Sequence, residues 1–265
     1  MQKGLCVGTG NLAWHFIPAL INLENTVELQ VLGRNQDAPK WLKDLSIDYI
    51  TTSQDIDPEI EFVFLMVSDT SIPPLTQDLK EFLPSHKKVV HFSGTATIDA
   101  IDDHFTDRGS VWPIQSLSKG DHQIDLSKIP LCIHGSSPNF TYELRSIFQK
   151  ITSNIHLIEP EIRPFIHVAA VLANNFTNHL YALSKSLLDS KGVDFEILKP
   201  IIVQTALKVR DSDPQMLQTG PASRQDMVTV EEHLSMLEFD PVLQKLYELF
   251  TQSIINSKYE NRRLH

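Results

Sequence analysis

Cysteine is scarce in this chain: its 265 residues include only Cys6 and Cys132. Each sits in an apolar, strand-like run, so both read as small core residues in a reducing compartment. No Cys or His spacing matches a metal site. Positive charge is also short. The chain has 23 Lys and Arg against 33 Asp and Glu, a formal net charge of −10. That balance argues against nonspecific binding to nucleic acid or to an anionic membrane, though it leaves room for a local basic pocket. Long uninterrupted apolar runs are missing too. Residues 4–23 are mostly apolar, but Gly8-Thr9-Gly10-Asn11 and His15 break the run. No small-residue cleavage site follows, so the run reads as strand plus helix and the expected location is the cytoplasm. Internal repeats and low-complexity linkers are absent. With 42% hydrophobic residues the composition is that of a soluble globular protein, long enough for one large domain or two ordinary ones.

What the chain does have is a glycine pattern at its start. Leu5-Cys6-Val7-Gly8-Thr9-Gly10-Asn11-Leu12-Ala13 reads as a buried strand, a tight turn and the opening of a helix. The helix is marked by Leu12, Phe16, Ile17, Leu20 and Ile21. Such a turn aims backbone N–H groups and the positive end of a helix dipole at a diphosphate. Gly8 permits the turn, Gly10 lets the backbone approach phosphates, and Ala13 keeps helix close to strand. The alternative is a purely structural glycine turn in another α/β domain. The second strand, Val27–Leu32, ends in Gly33-Arg34-Asn35. NAD-binding chains usually place an acidic residue there for the ribose 2′-hydroxyl. A cation with no carboxylate suits a 2′-phosphate, so the expected cofactor is NADP. Otherwise Arg34 is an ordinary exposed arginine after a strand.

Residues 1 to 158 alternate strand and helix, which predicts a doubly wound, mostly parallel sheet. Strands are expected at Glu61–Val67, Lys88–Phe92, Gly109–Val111, Pro130–His134 and Asn154–Leu157, with helices over Ile72–Phe82 and Tyr142–Lys150. Ser68 to Ser71 offer helix N-caps. Ligands of such sheets sit at the carboxyl ends of the strands. The expected cofactor-binding set there is Gly8 to Ala13, Gly33, Arg34, Asn35, Val67, Ser68, Asp69, Ser93 and Gly94.

Past Glu159-Pro160 the periodicity is helical only, so residues 159–265 are expected to form an all-α domain. Phe165, Val168, Leu172, Phe176, Leu180, Leu183 and Leu187 fall on one stripe. From Pro164 to Ser184 there is no Asp, Glu, Lys or Arg, which predicts a helix covered on nearly all sides. Arg163, His167, Asn174 and Asn178 lie within about 60° of one another on an ideal helix. His167 is placed to exchange a proton near neutral pH, and Asn174 or Asn175 to hold a substrate oxygen or the nicotinamide amide. A polar stripe at a dimer interface is the competing reading. Further on, Asp194 caps a helix, and Thr229-Val230-Glu231-Glu232 reads as a capping box. Before it, Gly220-Pro221 fixes a turn carrying Arg224 and Asp226. Arg224 suits a substrate carboxylate or a cofactor phosphate, or else braces Asp226.

These residues, with His91-Phe92-Ser93-Gly94-Thr95, Pro113-Ile114-Gln115 and His167-Val168-Ala169-Ala170-Val171, resemble a family of Rossmann-like proteins with a helical C-terminal domain. It is related to pyrroline-5-carboxylate reductase, ketopantoate reductase and the deazaflavin-dependent NADP oxidoreductases. The resemblance spans the chain and implies NADP-linked redox chemistry and a homodimer formed through the helical domain. One departure stands out: related dehydrogenases carry a catalytic lysine on the first helix after the Rossmann domain. Here Pro164–Ser184 contains none, and His167 stands in the nearest place. Two functions follow. One is an oxidoreductase acting on a small keto, imine or hydroxy acid, with His167, Asn174 and Arg224 as its catalytic residues. The other is a catalytically silent NADP(H)-binding sensor or scaffold.

Overall fold

A computed structural model describes residues 3–23, 28–120 and 124–263, from 258 onward as backbone alone. Among them, one sheet contains β1 (Lys3–Val7), β2 (Glu28–Leu32), β3 (Asp48–Ile50), β4 (Phe62–Leu65), β5 (Lys88–His91), β6 (Arg108–Pro113), β7 (Leu131–Gly135) and β8 (Ile155–Leu157). The spatial order is β3-β2-β1-β4-β5-β6-β7-β8. All neighbours are parallel except β6 and β7, which form an antiparallel pair. Helices α1 (Asn11–Ile21), α2 (Lys40–Lys43), α3 (Ile72–Leu79) and α4 (Pro138–Phe148) alternate with the strands. This is the doubly wound α/β fold expected. β1 lies between β2 and β4, so successive crossovers leave it in opposite directions. Ligand crevices open at that switch point.

Alternate strand residues feed two cores, as the pleat requires. Cys6, Phe62 and Phe64 pack with Phe16 and Leu20 of α1 and with Phe140 and Phe148 of α4. Leu5, Val63 and Leu65 pack on the other side with Ile72 and Leu79 of α3. Phe64 meets Phe148 edge-on at a centroid distance of 6.3 Å. Truncating such a fully buried ring to Ala costs about 3–5 kcal/mol. Both cysteines are buried and unpaired.

Several expected elements shift. Val27 lies outside the described residues. β3 and α2, each very short, were not expected. The helix expected from Tyr142 starts at Pro138, because Ser137 accepts a hydrogen bond from the Phe140 N–H (3.2 Å) and Pro138 occupies the first turn. Neither Ser68 nor Ser71 caps through its side chain. Their hydroxyls pair with each other instead, at 2.6 Å.

By internal packing the chain divides into two compact units, Met1–Ala173 and Asn174–His265. The sequence pattern changes earlier, at Glu159-Pro160. After β8 the described elements are all helical: α5 (Arg163–Ala170), a π-helical turn (Val171–Phe176), α6 (Thr177–Asp189), α7 (Lys199–Asp211), α8 (Pro221–Arg224), α9 (Met227–Met236) and α10 (Pro241–Arg263). The π turn adds a residue per turn locally. Ideal α-helical spacing therefore does not hold across Val171–Phe176. Asp194 caps as expected, accepting from the Glu196 N–H at 2.9 Å. Thr229 does not open α9. Asp226 does, accepting from the Thr229 N–H and hydroxyl. No described helix is long and apolar enough to cross a membrane.

Candidate functional site

A cavity of about 880 Å³ opens at the carboxyl ends of β1, β2, β4 and β5, within the first unit. Its floor is the turn between β1 and α1. Gly8 has φ +110°, and a Cβ there would lie 2.4 Å from the Met66 carbonyl oxygen. The turn is thus pressed against the end of β4, and Gly8 is required by the fold. Gly10 is different. It is the N-cap of α1, with φ −77°, and makes no side-chain cap. A Cβ built on it meets nothing within 4 Å. Protein packing gives no reason for glycine at position 10, whereas a ligand resting on the first turn of α1 does. No acidic residue lies in that turn, so its N–H groups and dipole remain available to an anion.

Thr9, Asn11 and Leu12 line the same floor. Ala13 does not: it is fully buried under α1, where it holds the helix against the sheet. At the β2 end, Gly33, Arg34 and Asn35 line the wall. The turn is held by Tyr49 of β3, whose hydroxyl donates to the Asn35 carbonyl (2.8 Å), and by the Gly33 N–H to the Ile50 carbonyl (3.0 Å). Arg34 is exposed and forms no ion pair among the described residues.

At the other end, Val67, Ser68 and Asp69 follow β4, and Ser93 and Gly94 follow β5. Asp69 accepts a hydrogen bond from the Thr95 hydroxyl. Ser93 turns its hydroxyl into its own loop, accepting from the Thr95 N–H (3.1 Å) and the Ala96 N–H (2.9 Å). The loop is fixed from beneath by His91, fully buried. Its Nδ1 accepts from the Ser93 N–H (3.2 Å), so Nε2 carries the proton and donates to the Thr97 carbonyl (3.1 Å). Burial, reinforced by the nearby Arg163 cation, pushes the His91 pKa down to about 4. The imidazole is therefore neutral at physiological pH.

Two contributors, Tyr49 and Lys119, escaped the sequence reading. Tyr49 sits on an unexpected strand. Lys119 reaches the cavity from the connection between β6 and β7, which His15 pins through its Nε2 to the Ser118 carbonyl (3.0 Å). Trp112 and Gln115 line the wall from the end of β6 onward. Trp112 meets His167 of α5 edge-on, with ring centroids 5.9 Å apart. His167 is half-buried and does not itself line the cavity. Asn174 and Arg224 are exposed residues of the second unit. Arg224 makes no ion pair with Asp226, which is engaged in capping α9. The second unit has a cavity of its own, about 780 Å³ and mainly apolar, with a His233–Tyr247 hydrogen bond (2.8 Å) in its wall.

The charge pattern of the first cavity is simple. Arg34 and Lys119 are its cations, and Asp69, two strands away from Arg34, is its carboxylate. Glycine turn, open helix end and an elongated crevice across the switch point together fit a dinucleotide.

Comparison with solved structures agrees. A Bacteroides fragilis protein, named as a candidate NADP oxidoreductase, is 31% identical over 96% of this chain and 98% of its own, with a TM-score of 0.85. The chain belongs to this family of Rossmann-type dinucleotide-binding proteins. A Thermotoga maritima protein matches at 23% identity over 98% of this chain and 99% of its own, with a TM-score of 0.76. The pyrroline-5-carboxylate reductase of Streptococcus pyogenes shares the fold at 14% identity, covering 96% and 98% of the two chains with a TM-score of 0.59. Residues 129–254 match a family described as a domain of unknown function, DUF2520. No curated protein sequence matches the chain. Family membership agrees with the resemblance read from the glycine turn and the helical second half.

Proposed function

We propose that the chain is an NADP(H)-dependent oxidoreductase acting on a small keto, imine or hydroxy acid. The observation that carries this reading is the open space over Gly10, at a helix end with no competing cap. The bound dinucleotide would supply or accept the hydride, leaving binding, orientation and proton management to the protein. The first turn of α1 would hold the diphosphate. Arg34 would take the 2′-phosphate, since the cavity's carboxylate, Asp69, lies two strands away. Lys119 adds a second cation for the phosphates. The wall at Ser93 and Gly94 is left for the nicotinamide end. His167 is the assigned proton donor, because its ring contact with Trp112 connects it to the cavity wall. Asn174 and Arg224 keep their roles, holding a substrate oxygen and a substrate carboxylate, on the sequence pattern alone.

The protein would act as a homodimer in the cytoplasm. Phe165 and Val168 of α5 are each more than half exposed in the single chain. Bare apolar side chains on one helix call for a cover, and a second copy supplies one. The test of function is turnover. Purified protein is mixed with NADPH and a panel of 2-keto acids and cyclic imines, and loss of NADPH absorbance is followed. Steady turnover with any member supports the enzyme. Tight cofactor binding with no turnover across the panel favours the silent sensor.

A further inference from the structure

Arg163 opens α5, and the residue is only 4% exposed. Its Nη2 donates to the Ser93 carbonyl at 2.6 Å, and its Nη1 donates to the Ser110 hydroxyl at 2.7 Å and to the Ala96 carbonyl at 3.4 Å. Its Nε is buried with no partner. All these acceptors are neutral, and among the described residues no carboxylate lies within ion-pair distance of it. A buried arginine ordinarily has an acidic partner, because an unneutralised charge away from water is costly. Bracing the loop after β5 uses donors on two nitrogens, but it does not by itself call for a net charge. The charge itself needs a reason.

Its position offers one. Ser93, which the guanidinium touches, lines the cavity, and so does Trp112, whose ring lies 5.9 Å from the guanidinium carbon. The cation therefore stands one residue behind the β5 end of the wall. The other groups facing this region are few. Asp69 is the opposing charge on the wall, tied to Thr95. His91 is neutral beneath the loop, and the Cys132 thiol is buried and protonated, its pKa pushed up by burial.

We propose that Arg163 sets the redox preference of the site: its unneutralised charge disfavours an oxidised, cationic nicotinamide ring and favours the reduced, neutral one. The protein is thereby biased toward binding the hydride donor, as a reductase needs. The inference rests on the dinucleotide reading above. At the effective dielectric near 20 that suits protein sites, a cation just behind the wall would shift the affinity ratio by on the order of tenfold. Asp69 opposes the effect, so its removal strengthens it.

The experiment is an equilibrium titration of wild type, Arg163→Gln, Arg163→Lys and Asp69→Asn with NADPH and with NADP+. Wild type is expected to bind NADPH about tenfold or more tighter than NADP+. Arg163→Gln brings that ratio close to one, Arg163→Lys keeps it, and Asp69→Asn raises it. A brace without electrostatic role weakens both forms alike. An unchanged ratio in Arg163→Gln therefore overturns the proposal while the dinucleotide reading stands. Should Arg163→Gln not fold, the proposal is refuted by a wild-type ratio at or below one, or by an unchanged ratio in Asp69→Asn. Binding of neither form to folded wild type sinks the dinucleotide reading and this inference with it.

Discussion

Gly8 and Gly10 stand two residues apart in one turn, yet replacing each with alanine should have opposite consequences. At Gly8 the backbone has φ +110°, and a Cβ would lie 2.4 Å from the Met66 carbonyl oxygen. Holding alanine in that conformation costs about 1–3 kcal/mol. Forcing β1 and β4 apart adds about 1–3 kcal/mol more. Thermal unfolding of Gly8→Ala should then fall by on the order of 10 °C. At Gly10 the backbone is ordinary, φ −77°, and the space is empty. Gly10→Ala loses only the N-cap preference, about 1 kcal/mol or less. A methyl at the first turn would push phosphates off the N–H groups of α1. Each charge-assisted hydrogen bond so lost is worth about 1.5–3 kcal/mol, or ten- to a hundredfold in affinity. Scanning calorimetry and cofactor titration on both variants check the pair. A Gly10→Ala protein with wild-type melting and wild-type NADPH affinity would refute the argument.

Arg34→Ala should weaken NADPH about ten- to a hundredfold and leave NADH nearly unchanged, in parallel calorimetric titrations. His91 links stability to pH. Its pKa is held at about 4 in the fold by burial, then by Arg163, against about 6.5 unfolded. The unfolded chain thus binds more protons between those values, so stability is fully present above pH 6.5 and is lost as pH falls toward 4. The loss is about 3 kcal/mol, and urea melts across that window should lose this slope in His91→Gln. His167→Ala should cut turnover about 10²–10⁴-fold while NADPH affinity stays within twofold, in a rate assay paired with binding. Phe165→Asp should shift the protein toward monomer by analytical sedimentation; an unchanged wild-type dimer would remove that helix from the interface.

The Rossmann half could be read from the sequence because its signals are local. Gly8 and Gly10 follow an apolar strand, and the continuous apolar run Phe62–Leu65 marks a strand buried on both faces. β3 could not be read, since Asp48–Ile50 is three residues long and periodicity needs more. That omission hid Tyr49, which fixes the Arg34 turn. Lys119 was hidden for another reason. It lies on a long irregular connection, and only the fold, through His15 and Ser118, brings it to the cavity. In the helical half, Asp226 and Thr229 are both good caps three residues apart, and their order of use is settled by the turn at Gln225, with φ +60°. The π turn at Val171–Phe176 leaves no mark in composition, so the ideal-helix projection that put Arg163, His167, Asn174 and Asn178 in one polar stripe did not allow for it. Arg163 looked like the first member of that polar stripe. Its role emerges only with the neutral acceptors around it.

The central claim is that the cavity over Gly10 binds NADP(H). It is tested most directly by titrating purified protein with NADPH and with NADH, read by energy transfer from tryptophan or by calorimetry. The account predicts micromolar NADPH binding and at least tenfold weaker NADH binding. Failure to bind either would contradict it and leave the glycine turn as a structural feature alone.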